Sequence, residues 1–75
     1  MIKGYVIFNE NGRKLCRDLY WASKEYPGWV FSKEELKEIL QKSSSWKIKP
    51  VAYQPAISHP ETNSVELLDH AILLV

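Results

Sequence analysis

Cysteine occurs once, at position 16, so the chain closes no disulfide within itself and carries no sign of an oxidising compartment. The three glycines stand apart at 4, 12 and 28, which excludes a glycine-rich phosphate loop. His59 and His70, with Glu61, Glu66 and Asp69 nearby, follow no compact metal-ligand spacing. Long apolar runs are also missing. The cleanest, AILLV at the C-terminus, is far shorter than the roughly 20 residues that cross a membrane. The opening MIKGYVIF lacks the charged start, long apolar stretch and small-residue cleavage site of a secretory signal, so a cytoplasmic protein without a membrane anchor is expected. Neither charge dominates. Ten basic and nine acidic side chains leave a net charge of +1, too little for a dedicated electrostatic binder of nucleic acid or lipid.

Catalysis finds no constellation in this inventory. Cys16 with His59 or His70 as base and Asp69 as orienter is the only nucleophilic combination available. Asp69 and His70 are neighbours whose side chains diverge on either a helix or a strand, so they make a poor orienter and base. A free cysteine in a strand is ordinarily a small apolar filler. The expectation is a non-enzymatic protein with no catalytic, metal or cofactor residues.

Aromatic side chains are plentiful: three Trp, four Tyr and two Phe in 75 residues. A chain this short lies near the lower limit for folding without staples, and each ring buries on the order of 150–250 Å². With 45% hydrophobic and 25% charged residues, one folded domain over residues 1–75 is expected. No internal repeat or low-complexity tract interrupts it.

The segment IKGYVIFNENGRKLCRDLYW reads as a hairpin. Ile2, Gly4, Val6 and Phe8 fall on one face and Tyr5 and Ile7 on the other, which suits a strand covered on both sides or one with an aromatic lying on its exposed face. Asn11-Gly12 favours a two-residue primed turn, setting Glu10 opposite Arg13 and Phe8 opposite Leu15. Leu15, Leu19 and Trp21 then alternate along the returning strand. Pro27-Gly28 marks a turn.

FSKEEL holds the sharpest local signal. Ser32 and Glu35 form a capping box, and Phe31 with Leu36 a hydrophobic staple, so a helix is expected near 33–42 with Leu36, Ile39 and Leu40 inward. WKIKPVAY alternates Trp46 and Ile48 with Lys47 and Lys49. It reads as a strand near 46–53, placed at a sheet edge by Pro50. QPAISHPETNS reads as a loop. The tail 64–75 fits a helix or a strand. Val65, Leu68, Ile72 and Val75 make a helical stripe, Asn63 with Glu66 offers a second capping box, and the helix is slightly preferred. The whole is an α+β domain, a small antiparallel sheet packed on one helix.

Five aromatic rings crowd into YWASKEYPGWVF at 20–31. Trp21, Trp29 and Phe31 are expected to pack on Leu36 and Leu40, with Tyr20 and Tyr26 as a rim available to a protein partner, since both residue types anchor interfaces. An alternative face for single-stranded nucleic acid combines Tyr5 and Tyr53 as stacking rings with Arg13, Arg17, Lys47 and Lys49 on the backbone. The favoured function is protein interaction or regulation by a monomer or weak homodimer.

The layout GYVIFNENGRKL, GWVFSKEELKEIL, WKIKPVAY resembles a plan common among short bacterial and phage proteins, many of unknown function. The resemblance covers residues 3–53. It implies a hairpin, helix and strand, and a role such as inhibitor or adaptor of a larger machine; it carries no functional residues.

Overall fold

The computed structural model describes residues 1–74 and shows an α+β fold: a four-stranded antiparallel sheet and a single α-helix. In chain order the elements are β1 (Ile2–Asn9), α1 (Lys33–Lys42), a 3₁₀ turn (Ser43–Ser45), β2 (Pro50–His59), β3 (Ser64–Leu67) and β4 (Ile72–Leu73). β2 is central. It pairs β1 along one edge, and β3 and then β4 along the other.

The alternation along β1 sorts the core into two layers. Ile7 joins Leu15, Phe31, Leu36 and Ile39 beneath the helix, with Tyr5 and Tyr53 packed against them. Val6 joins Val30 and Ala56 on the opposite face, flanked by Phe8 and Val65. β1 is thus covered on both sides, and each fully buried aliphatic side chain stabilises the fold by roughly 1.5–3 kcal/mol. The helix begins at the anticipated box: Ser32 Oγ accepts from Glu35 N at 3.2 Å, and Glu35 Oε1 accepts from Ser32 N at 3.0 Å.

The first turn departs from the expected primed pair. Gly12 N donates to Asn9 O and Asn9 N to Arg13 O, both at 3.0 Å, and of the loop residues only Gly12 has a positive φ, +77°. This is a three-residue loop in which glycine takes the left-handed position. Asn9 selects it, its Oδ1 accepting from the main chains of Asn11 and Arg13. Phe8 therefore faces Lys14 rather than Leu15, and Asn9, not Glu10, lies across from Arg13. No long returning strand follows. Leu15 pairs with Trp21 around a second tight turn, and Leu19 at its corner lies outward instead of continuing the buried row.

β2 corrects two further expectations. It starts at Pro50 and runs through QPAISH, so residues 46–49 of the expected edge strand lie outside any strand, residues 50–53 belong to the sheet's centre, and the first part of the expected loop is ladder. Pro50 occupies the first strand position beside a register shift, where a missing N–H costs little. Pro55 faces Tyr5, whose own N–H and C=O are turned away to Phe31, so β1 demands no donor there. On its other side Pro55 contributes only its carbonyl, which accepts from Leu68 N at 2.8 Å where β3 has just ended.

The tail is two short strands rather than the preferred helix. Asn63 (φ +54°) closes the β2–β3 turn instead of capping. Gln54 Nε2 donates to the carbonyls of Leu68 and Asp69, bridging the break between β3 and β4. Val75, the last member of the proposed stripe, lies outside the described residues.

Candidate functional site

The aromatic segment divides at Phe31. Phe31 is 3% exposed and pairs with Tyr5 through two main-chain hydrogen bonds of 2.8 Å. Gly4 makes the approach possible, since a Cβ there would collide with the Phe31 carbonyl and press on Val30. Continuing that register would set Trp29 opposite Ile7. Ile7 O already accepts from Leu15 N, so this stretch of the β1 edge is taken and the chain at 29 is displaced. Trp29 is 38% exposed, contrary to the expected core position, and the Arg17 guanidinium lies 5.6 Å from its ring centre.

Trp21 is half-buried against the helix-side core, edge-to-face with Trp46 at 6.4 Å, and its indole Nε1 donates to Ile48 O at 3.1 Å. Tyr20 is 70% exposed. Tyr26 is half-buried. Burial first, then Cys16 and Asp18, pushes its phenol above the usual tyrosine range.

Between Tyr26–Trp29 and the β2–β3 turn lies a groove of about 450 Å³. Tyr26, Pro27 and Trp29 line one side; Pro60, Val65 and Ser58 line the other. Among the described residues, no charged side chain lines it. The far wall is held by the turn, in which His59 O accepts from Thr62 N at 3.1 Å and the hydroxyls of Thr62 and Ser64 are 2.7 Å apart. A second, shallower depression of about 310 Å³ is lined by Leu19, Trp21, Trp46, Lys47 and Ile48.

The rings of Tyr5 and Tyr53 meet edge-to-face at 5.5 Å and pack on the helix-side core, which leaves little free face for stacking. Arg13 leaves the first turn, Arg17 sits over Trp29, Lys47 lines the shallow depression, and Lys49 is exposed just before β2. Of the two anticipated rim tyrosines, only Tyr26 lines the groove. Cys16 is half-buried, with its main-chain N–H donating to Tyr20 O. His59 Nε2 is 3.7 Å from Glu66 Oε1, while His70 is exposed. Among the described residues, no three His, Cys, Asp or Glu side chains come close enough to hold a metal ion, and no helix is long and apolar enough to cross a membrane.

Sequence reasoning missed Pro60 and Val65 because a loop reading of QPAISHPETNS hid the hairpin that brings them to Trp29. The signal available was the alternation that puts the small residues Ala52, Ala56 and Ser58 on one strand face, which permits close packing. No family model, curated protein or solved structure matches the chain.

Proposed function

We propose that the protein is a small, non-enzymatic, cytoplasmic interaction module that takes an extended peptide segment of a partner protein into the groove between Tyr26–Trp29 and Pro60–Val65. The observation carrying this reading is Trp29, held by the fold at the mouth of an uncharged groove with over a third of its surface in solvent. Tryptophan and tyrosine concentrate binding energy because each joins a large apolar body to a polar tip. The indole N–H of Trp29 has no acceptor among the described residues, and an extended segment offers carbonyls to bond it.

The test is selection from a random-peptide display library, followed by titration of the selected peptides using tryptophan fluorescence. Trp29→Ala and Tyr26→Ala should weaken binding about tenfold or more, and Tyr20→Ala should weaken it less. The reading fails if no peptide depends on Trp29. Uptake of oligothymidylate instead, with affinity falling steeply as salt rises, would replace it with the nucleic-acid role.

A further inference from the structure

Two turns in the first third of the chain share one construction. In the first, Gly12 N donates to Asn9 O and Asn9 N to Arg13 O; in the second, Leu19 N donates to Cys16 O and Cys16 N to Tyr20 O, at 2.9 Å each. The left-handed corner is Gly12 at φ +77° in one and Leu19 at φ +66° in the other. Leucine is disfavoured there because its Cβ crowds the following carbonyl, whereas Gly, Asn or Asp would close the same turn more easily. Strain of this kind persists where the surroundings or a function require it. Its result is an apolar side chain 39% exposed at the tip of the turn.

Leu19 is not isolated. Ile48, 44% exposed, lines the same depression, together with the Trp21–Trp46 pair. The polar edge of Trp21 is already spent on Ile48 O, so the indole adds apolar surface. Lys47 lines this depression and Lys49 follows two residues on. Among the described residues the ion pairs are Lys42–Glu38 and His59–Glu66, which leaves both lysines without a carboxylate. Leu19 also borders a separate depression, where Glu35 and Glu38 are accompanied by Arg17 and Lys42, while Asp18 precedes Leu19 in the turn.

We infer that Leu19, Trp21, Trp46 and Ile48 form a second docking surface, distinct from the Trp29 groove, for an acidic amphipathic segment of a protein partner. One large apolar side chain of the segment enters between Leu19 and Ile48, and its carboxylates pair with Lys47 and Lys49. Charge complementarity selects this occupant. A nucleic-acid strand fits less well, because the indoles meet edge-to-face and are half-buried, whereas bases stack on open ring faces.

The experiment uses the full chain and three probes: an amphipathic peptide of Leu and Glu, the same peptide with Lys in place of Glu, and oligothymidylate. The Leu/Glu peptide should bind and perturb tryptophan emission, and the Leu/Lys peptide should not. Lys47→Gln with Lys49→Gln should lower affinity several-fold and flatten its salt dependence. Leu19→Gly and Ile48→Ser should each lower it about tenfold, with the denaturation midpoint of Leu19→Gly unchanged or raised because the corner strain is relieved. Trp29→Ala should leave this affinity intact, which separates the surface from the groove. Equal binding of the Lys peptide, preference for oligothymidylate, or loss of Leu/Glu-peptide binding in Trp29→Ala but not in Leu19→Gly would overturn the inference. So would a clear loss of stability in Leu19→Gly, which would make Leu19 a packing residue.

Discussion

The main chains of Tyr5 and Phe31 exchange both their hydrogen bonds, each at 2.8 Å, across a separation in sequence that no local rule anticipates. This one pairing ties the entry of the helix to the edge of β1. It also turns Phe31 into the helix-side core and Val30 to the opposite face, and it leaves Trp29 beyond the paired stretch.

From that division, Phe31→Ala should cost about 3–5 kcal/mol, as truncation of a buried ring does. Trp29→Ala should cost less than half as much, although tryptophan is the larger residue. Chemical denaturation of the two variants decides this: a Trp29→Ala loss equal to that of Phe31→Ala would contradict the exposed position.

The left-handed conformation of Gly12 makes Gly12→Ala unfavourable by about 1 kcal/mol, even though an added Cβ there meets nothing within 4 Å. The cost is conformational alone. It should appear as a lowered midpoint with unchanged denaturant slope.

Ser32→Ala removes the acceptor for Glu35 N while leaving the main-chain path intact, and should lower stability by about 1 kcal/mol. Because Glu35 also accepts from Ser32 N, Glu35→Ala should cost a similar amount, and the double variant less than the sum of the two. Additive losses would mean that the box does not act as a unit.

Tyr26 supplies a pH signature. Its folded phenol titrates above the unfolded value, chiefly through burial, so the native state holds the proton more tightly than the unfolded chain does. Stability is then complete below the unfolded value of about 10 and falls as pH rises through the folded one. Tyr26→Phe should lessen the loss measured by denaturation between neutral and strongly alkaline pH. An identical alkaline decline in the variant would count against Tyr26 as its source.

Several features were legible from neighbouring residues alone. The helix starts and stops where Ser32, Glu35 and Lys42 indicate, because capping is settled within one turn of chain. The alternation of Gly4, Val6 and Phe8 against Tyr5 and Ile7 likewise announced a strand apolar on both faces, since a period of two needs no knowledge of the partner, and the structure covers both. Tyr26, expected as an exposed rim residue, is half-buried and lines the groove.

Other features depended on who pairs with whom. Pro55 reads as a breaker in sequence, yet it sits in the central strand because Tyr5 looks away to Phe31 and β3 stops at Leu67. The tail carries a helical stripe, but Gln54 and the free edge of β2 recruit it as two strands, since ladder bonds to an existing edge outweigh a weak local preference. Trp29 was assigned to the core by its chemistry and left outside by occupancy, Leu15 having already taken the edge of Ile7. Composition, capping and periodicity act over a few residues, so the sequence by itself determined the α+β class, the helix and the first strand. The order of the strands, the rings left in solvent and the two depressions they line were decided by the tertiary structure, because each depends on competition between distant segments for the same edge.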